Sequence, residues 1–496
     1  MVKFIVDPGQ LLFLVQFLTL LTFASMHEEN TVPSEGQEPT HKSMYFAKKT
    51  HCSSKGNECW GYEENCKDIE FPFCSKDEIP NEKKRQDAIW RTWSQLDYGL
   101  ISQIRGSFLQ LCKAKTETDS SFTCSPNLMY CRAKNFYVDF STYDFYTRDP
   151  FNKIPYEDGQ IGGRCQMDKD LLDAQNKYRV NLGTWYNELE NFAALDFQPL
   201  DKCDVVVEKP TIFVKLDFAG NLYHHFCDFI SIFISQHVNG SSFSKDINII
   251  NWSASNGPYR DKLFGDTWKV FTDHSLQLLN QYRGKKVCFR DAVFSIPPRH
   301  PQTLYYNNKV PDGCRRSRLM RTFSDHILNG LKIPKQQYKE KEIRVTFLRR
   351  TTKFRKVYNE QELLKAASKI KGVSISLIDY KDLPFLSQLE RTVNTDIMVG
   401  MHGAGLAHFM FLPEWAVGYE LFNCHDVGCY KNLALLSGVH YMTWEDESKF
   451  EVVERHDPDK GPKFWNYRFD VSEFTKLLRR AVKYVKNNRP ARDTCE

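Results

Sequence analysis

The chain has 496 residues, of which 41% are hydrophobic and 26% are charged, and its formal net charge is +5 at pH 7. This length is too great for one hydrophobic core, and the composition excludes a fibrous or disordered chain, so we expect two globular domains. The basic residues are spread along the chain, which excludes the concentrated basic surface that a nucleic-acid partner would require.

The first 25 residues predict a cleaved signal peptide. Lys3 precedes the apolar run Leu11–Ala24, and the small residue Ser25 follows it. The run is short for a membrane span, which needs about 20 apolar residues, so an uncleaved anchor is the alternative. No later segment is apolar enough to cross a bilayer, and we expect no stable membrane span. Residues 26–50 are polar and predict a flexible stem.

Fifteen cysteines indicate a chain that forms disulfides in an oxidising compartment. The first four, at positions 52, 59, 66 and 74, are too far apart for the CxxC spacing that zinc sites prefer. An odd count leaves at least one thiol free, and we expect that thiol to be Cys495. Residues 51–200 are therefore predicted as a cysteine-rich region that packs on the first domain. Asn239 and Asn251 open two glycosylation sequons.

Residues 201–335 predict a first Rossmann-like domain. Thr211–Leu216 is a β-rich run, Asn221–Val238 has a helical apolar stripe, and Ile247–Trp252 predicts the next strand. Strand, helix and strand in this order predict a βαβ unit.

Residues 336–496 predict a second Rossmann-like domain. The expected strands are Ile343–Arg349, Val373–Asp379, Asp396–Gly400, Val417–Phe422 and Val439–Trp444. The expected helices are Glu360–Ile370, Phe385–Val393, Tyr430–Ser437 and Val471–Asn487. Asn359 and Glu362 predict a capping box at the first of these helices. Strands that alternate with helices predict a parallel, doubly wound sheet. The expected fold is thus α/β, with two Rossmann-like domains that face a cleft.

A glycine-rich segment, Val399–His408, is the first candidate for chemistry. Gly403, Ala404 and Gly405 follow a strand and open a helix, where backbone N–H groups can approach a phosphate. Many α/β turns need glycine for backbone reasons alone, so a structural turn is the alternative. The segment lacks a full GxGxxG, so it does not predict a dinucleotide site.

Polar residues follow other strands of the same series, at the edge where this fold binds ligands. Arg349 and Arg350 end the first strand and could bind a diphosphate. Glu420 and Asn423 end the strand after the glycine turn and could hold sugar hydroxyls. Each could instead be a surface ion pair or a loop residue.

His224 and Asp228 predict an acid–base pair in the first domain. They are four residues apart and share one face of the predicted helix. Near a helix N-terminus a histidine stays neutral, so His224 is available as a base that Asp228 orients. A polar pair with a packing role is the alternative. His225 points about 100° away, and we expect it to be structural.

Six segments, taken together and in order, resemble glycosyltransferase family 61. They are ECWGYEENC at 58–66, CRAKN at 131–135, NLYHHFCDF at 221–229, VGMHGAGLAH at 399–408, FLPEW at 411–415 and GVHYMTW at 438–444. The resemblance spans residues 50 to 490. It implies a GT-B-like fold in the endoplasmic reticulum lumen, with residues 201–335 on the acceptor side and residues 336–496 binding the nucleotide sugar. It also implies inverting transfer of N-acetylglucosamine from UDP-GlcNAc to Ser or Thr of folded EGF-like domains, including those of Notch-type receptors.

The resemblance leaves metal use and the base open. Members of the family carry Asp-x-Asp where this chain reads Asp273-His274-Ser275, so Asp273 is the remnant of that motif. We therefore predict no metal ligand, although Mn²⁺ could still assist. The base is His224, or else His402 or Glu420. A transferase for O-mannose glycans and an inactive lumenal protein that binds EGF-like domains are the alternative functions.

Overall fold

The computed structural model describes residues 73–489, except 144, 146–155, 179, 181, 240–243, 253–260, 262, 301–302, 304–308, 336–341 and 458. The predicted signal peptide, the predicted stem and Cys495 lie outside the described residues, as do Cys52, Cys59 and Cys66.

Twenty strands occur within the described residues. They are β1 Phe73–Cys74, β2 Leu109–Lys113, β3 Ser121–Cys124, β4 Cys131–Asp139, β5 Ile161–Gly163, β6 Gln166–Met167, β7 Phe192–Ala194, β8 Val205–Val207, β9 Thr211–Val214, β10 Asn248–Asn251, β11 Gln277–Leu278, β12 Lys286–Phe294, β13 Cys314–Arg315, β14 Ile343–Leu348, β15 Val373–Ile378, β16 Ile397–Gly400, β17 Val417–Glu420, β18 His440–Thr443, β19 Phe450–Arg455 and β20 Trp465–Phe469.

The same part of the chain forms eleven α-helices. They are α1 Glu82–Leu96, α2 Tyr98–Gly106, α3 Lys169–Asp173, α4 Tyr186–Leu189, α5 Leu222–Asn239, α6 Trp268–Phe271, α7 Arg318–Gly330, α8 Glu360–Ala367, α9 Phe385–Val393, α10 Cys429–Leu436 and α11 Val471–Asn488. A 3₁₀ helix, Ala404–Phe411, follows β16. None of these helices is long and apolar enough to cross a membrane.

The first half is a mixed sheet of eleven strands and not the parallel sheet that we predicted. Strands β11, β10, β9 and β12 are parallel, and the β9–α5–β10 unit confirms the predicted βαβ connection. On the other side of β12, strand β4 runs antiparallel to it. Strands β3, β2 and β6 follow in that order, and each is antiparallel to its neighbour. Both faces of this sheet are buried, and successive side chains of a strand point to opposite faces. In β9, Ile212 and Val214 face one core while Phe213 faces the other.

The predicted boundary at residue 200 runs through this sheet. Strand β4 pairs with β12 along its length, from Cys131 opposite Phe294 to Asp139 opposite Lys286. Residues on both sides of 200 therefore share one sheet and one aromatic core. The disulfides are consistent with this, because Cys203–Cys288 joins two segments of the sheet region and Cys112–Cys165 links β2 to the β6 side. Two further disulfides, Cys74–Cys314 and Cys124–Cys131, join β1 to β13 and β3 to β4.

The second half is the parallel sheet that the strand–helix alternation predicted. Its five strands have the order β15-β14-β16-β17-β18, and every neighbouring pair is parallel. The strand and helix bounds agree with the sequence to within a few residues, and the α/β class is confirmed. The hairpin β19–β20 was not predicted.

The predicted capping box at α8 does not form. The side-chain amide of Asn359 donates to the Phe469 carbonyl and its oxygen accepts from the Phe469 N–H, so Asn359 is bound to β20. Glu362 instead accepts from Arg468 at 2.7 Å. Hydrogen bonds to β20 thus take the place of those that the capping box would form.

One apolar core is shared between the halves. Phe226 on α5 packs against Phe385 on α9 at 5.7 Å and against Phe411 of the 3₁₀ helix at 5.4 Å between ring centroids. The helix that follows β9 thus touches the segments that follow β15 and β16. Since each of these segments leaves the carboxyl end of a parallel strand, those ends of the two sheets lie near a common surface.

Candidate active site

The parallel sheet of the second half has a topological switch point between β14 and β16. Strand β15 lies on the far side of β14, whereas β17 and β18 lie beyond β16. Connections therefore leave the carboxyl ends of β14 and β16 in opposite directions and open a crevice there. Ligands of open α/β sheets bind at this position.

Gly403 forms the floor of this crevice, and its conformation requires glycine. Its φ is +154°, and a Cβ atom at this position would collide with the Nη1 atom of Arg350. Ala404 and Gly405 then open the 3₁₀ helix, whose first N–H groups have no partner within the helix. The predicted glycine turn therefore lies directly against a guanidinium group.

Arg350 is half-buried and has no carboxylate partner among the described residues. Its Nε donates to the Phe354 carbonyl at 2.8 Å. Burial, followed by repulsion from the nearby Arg355, lowers its pKa to about 10. Two cations that repel each other in a buried place are stabilised when an anion binds between them.

Arg355 is a site residue that the sequence did not reveal. Its backbone has a φ of +62°, which is uncommon for a residue with a side chain, and Nη1 donates to the His402 carbonyl at 3.0 Å. Its Nε is buried and has no hydrogen-bond partner among the described residues. An unpaired buried donor costs about 1–3 kcal/mol, which a ligand oxygen would recover.

Arg349, by contrast, points away from Gly403. Its Nε donates to Glu360 on α8 at 2.9 Å, and its side chain is 40% exposed. Arg349 is therefore bound to α8, whereas the Arg350 guanidinium lies against Gly403. The basic pair at this site is Arg350 with Arg355, not Arg349 with Arg350.

His402 is held by a buried carboxylate. Its Nδ1 lies 2.8 Å from Oε1 of Glu420, and the Tyr441 hydroxyl donates to Oε2 of the same carboxylate at 2.5 Å. Because a carboxylate only accepts, Nδ1 carries the proton, and Nε2 is directed towards Asp426, 3.7 Å away. Glu420 is fully buried, so it positions His402 and is not itself open to a sugar. Asn423 accepts from the His425 N–H and is half-buried beside this group.

His224 pairs with Asp217, not with Asp228 as we predicted. His224 Nδ1 lies 2.7 Å from Oδ2 of Asp217, and Oδ1 of the same carboxylate accepts from Arg299. Burial raises the pKa of Asp217, but the hydrogen bonds from His224 and Arg299 outweigh it and hold the pKa below its usual value. The carboxylate is therefore ionised and accepts a hydrogen bond from Nδ1 of His224. With 30% of its side chain exposed, His224 is open to a substrate.

Asp228 belongs to a second, fully buried group. Its Oδ2 lies 2.8 Å from Nδ1 of His225, and Asp261 lies 2.9 Å from Nε2 of the same ring. Burial alone would lower the pKa of His225, but the two carboxylates outweigh it and raise the pKa to about 9. His225 is thus structural, as predicted. Asp228 also accepts the Asp217 N–H at 3.0 Å, so it supports His224 from a distance.

Two tyrosines connect the two histidine–carboxylate pairs. The Tyr223 ring lies 5.8 Å from the His224 ring and 5.8 Å from the Tyr430 ring. The Tyr430 ring lies 5.0 Å from the His402 ring. The site therefore combines His224 and Asp217 from the first half with His402 and Glu420 from the second.

The remaining predicted residues lie elsewhere. Asp273 is 62% exposed and forms an ion pair with Lys245 at 2.8 Å. The described residues contain no group of three or more His, Cys, Asp or Glu side chains that could hold a metal ion. Hence the residues around Asp273 do not fit a divalent cation.

The two sequon asparagines lie in different surroundings. Asn239 ends α5 and accepts from the Tyr130 hydroxyl at 3.2 Å. Asn251 lies in β10 with only 7% exposure, which leaves little room for the glycan that we predicted there. Burial in a central strand is the physical reason.

Comparison with known proteins gives consistent results. The family model described as Glycosyltransferase 61 matches residues 124–419. A protein of Canis lupus familiaris named EGF domain-specific O-linked N-acetylglucosamine transferase is 41% identical over 482 residues, which cover 94% of this chain and 91% of the relative. Proteins of the same name from Xenopus laevis and Drosophila melanogaster are 40% and 37% identical, over 94% and 88% of this chain and 91% and 86% of the relatives. These matches confirm the resemblance that the motifs predicted.

Proposed function

The chain belongs to glycosyltransferase family 61, and we propose that it transfers N-acetylglucosamine from UDP-GlcNAc to Ser or Thr hydroxyls of folded EGF-like domains. The observation that carries this proposal is the pair of guanidinium groups, Arg350 and Arg355, at the glycine turn of the switch point. Both groups lack a carboxylate partner among the described residues, and a histidine held by a carboxylate lies beside them. The names of the relatives supply the sugar and the acceptor class.

In this proposal the donor diphosphate binds against Gly403. Its oxygens accept from Arg350 and Arg355 and from the first N–H groups of the 3₁₀ helix. Bond breaking between the anomeric carbon and the phosphate oxygen leaves negative charge on UDP. Guanidinium groups fixed in a half-buried place stabilise that charge more strongly than water does.

The acceptor hydroxyl attacks the anomeric carbon from the opposite face and inverts it. Its oxygen forms the new bond to carbon while its proton passes to Nε2 of His224. Asp217 then stabilises the imidazolium ion and holds the ring, as a carboxylate does for histidine bases in general. His402 is the partner on the donor side, where Glu420 fixes its ring.

We assign the arrangement of the two halves to the GT-B-like class. Both sets of parallel strands present their carboxyl ends to the shared surface between α5, α9 and the 3₁₀ helix, which supports this assignment. Four disulfides among the described residues fit an oxidising compartment. Accordingly, we propose the lumen of the endoplasmic reticulum as the place of action and Notch-type receptors among the acceptors.

The test is a transfer assay by intact mass. Purified protein is incubated with UDP-GlcNAc and a folded EGF-like domain, with and without Mn²⁺. We expect a gain of one N-acetylhexosamine, and no gain on a domain whose acceptor Ser or Thr is replaced by Ala. Absence of that gain under both conditions would refute the proposal, and transfer only to an O-mannosylated acceptor would reassign the substrate.

A further inference from the structure

Exposed apolar side chains of the described residues occur in segments near the active site. Six large hydrophobic side chains of these residues are exposed, and five of them follow the carboxyl ends of parallel strands. One of the five, Tyr358, donates its hydroxyl to Glu454, and the other four are purely apolar. Phe218 follows β9, Leu263 lies between β10 and β11, Leu386 follows β15, and Val427 follows β17. We call these four residues the apolar rim.

Two members of the rim adjoin the two histidine–carboxylate pairs. Phe218 is 59% exposed and comes directly after Asp217, the partner of His224. Val427 is 55% exposed and comes directly after Asp426, which lies 3.7 Å from Nε2 of His402. Phe218 and Val427 are therefore the direct sequence neighbours of the carboxylates nearest the two histidines.

The other two members lie where the halves meet. Phe264 and Phe385 are buried and pack edge to face, with ring centroids 5.0 Å apart. Their direct neighbours Leu263 and Leu386 are exposed. One exposed leucine from each half therefore lies next in sequence to this buried contact.

We propose that the apolar rim is the docking surface for the acceptor, a small folded domain held together by disulfides. This inference rests on the proposed function and adds to it the surface that recognises the acceptor. Small disulfide-linked domains cannot bury all of their apolar side chains, so they carry exposed ones that the rim can cover. A rigid domain also loses little conformational entropy when it contacts four separate loops, whereas a linear peptide would lose much more.

The position of the rim favours the acceptor over other occupants. The rim contains residues adjacent to both histidine pairs, so a second copy of this chain or a lipid surface seated there would block access to His224. An acceptor must reach that histidine in order to react. The acceptor is therefore the one occupant that must bind at the rim and also react at His224.

The experiment measures docking separately from transfer. A folded EGF-like domain whose acceptor hydroxyl is removed by Ser or Thr→Ala is titrated against the full chain by biolayer interferometry. The tested variants are Phe218→Ser, Leu263→Ser, Leu386→Ser and Val427→Ser, singly and combined. Val453→Ser is the matched control, because Val453 is an exposed apolar residue on β19, outside the rim. UDP affinity and the sedimentation coefficient are measured for every variant.

We expect the combined variant to weaken domain binding at least about tenfold, as the loss of apolar contacts at an interface does, while UDP affinity changes less than twofold. Reduced and alkylated domain should bind the unsubstituted protein as weakly as the folded domain binds the combined variant. A domain affinity that stays within twofold in the combined variant overturns the inference. So does a variant that only dissociates a dimer, since a second copy would then cover the rim. If the unsubstituted protein binds UDP but neither binds nor modifies any EGF-like domain, the proposed function fails, and the docking assignment fails with it.

Discussion

His224 and Asp217 form a hydrogen-bonded pair, 2.7 Å from Nδ1 to Oδ2, although a loop and the start of a helix separate them in sequence. Asp217 is buried and His224 is partly exposed, so the carboxylate can hold a ring that a substrate is able to reach. The loop after β9 turns back over the first turn of α5, and the Asp228 carboxylate fixes it by accepting the Asp217 N–H.

The first prediction concerns Asp217→Asn. The amide keeps the shape but can present its N–H₂ to Nδ1, which favours the tautomer with the proton on Nε2 and removes the base. We expect kcat to fall about 10²- to 10⁴-fold with little change in the KM for UDP-GlcNAc. Steady-state transfer to a folded EGF-like domain is the measurement. Asp273→Asn, at an exposed ion pair, is the control, and equal activity of the two variants would contradict the role of Asp217.

The second prediction concerns Arg355→Gln. Loss of the guanidinium group removes the buried charge that faces the donor diphosphate, and we expect UDP affinity to fall about 10- to 100-fold, as the loss of a charge-assisted contact does. Calorimetric titration with UDP measures it. Arg349→Gln is the matched control, because Arg349 is bound to Glu360 and is outside the crevice. If Arg349→Gln lost more UDP affinity than Arg355→Gln, the diphosphate-binding pair would be Arg349 with Arg350, as the sequence suggested.

The difference between Arg349 and Arg355 shows what the sequence could and could not determine. Strand and helix periodicity placed β14, β16 and β17 correctly, and with them Gly403 and Glu420 at one sheet edge. Arg355 lies in a loop whose path is set by β20, since its N–H donates to the Trp465 carbonyl. No local pattern connects residues that are 110 apart in the chain, so the second guanidinium group could not be placed.

Helix geometry failed at Asp228 for a related reason. Residues four apart share a face, but residues three apart do as well, and here the pair is His225 with Asp228. His225 is the histidine that faces the core, where Asp261 from another loop binds its second ring nitrogen. The local sequence does not indicate this contact. The antiparallel strands β2–β4 were also missed, because the cysteine pattern suggested a separate region where the chain in fact extends the sheet.

The third prediction concerns divalent cations. Arg350 and Arg355 already supply positive charge at the diphosphate, and Asp273 is bound to a surface lysine. We therefore expect EDTA to change the initial rate of transfer less than twofold. The rate is measured in EDTA, in Mn²⁺ and in Mg²⁺ with the same acceptor. A loss of more than tenfold in EDTA that Mn²⁺ restores would show that a metal contributes to leaving-group stabilisation.

The fourth prediction concerns the pH dependence of stability through His225. Its folded pKa of about 9 is above the ordinary value of 6.5, so its contribution is fully present below pH 6.5 and is lost as the pH rises through 9. Burial raises the pKa of Asp228 to about 6, so its own titration is largely complete below this window.

We expect the unfolding temperature to fall between pH 6.5 and 9, and to fall less in His225→Gln, whose stability at pH 6.5 should already be lower. Thermal melts of both proteins from pH 6 to 10 test this, with His274→Gln as the exposed control. Parallel pH profiles for the unsubstituted protein and His225→Gln would show that His225 is not charged between its two carboxylates.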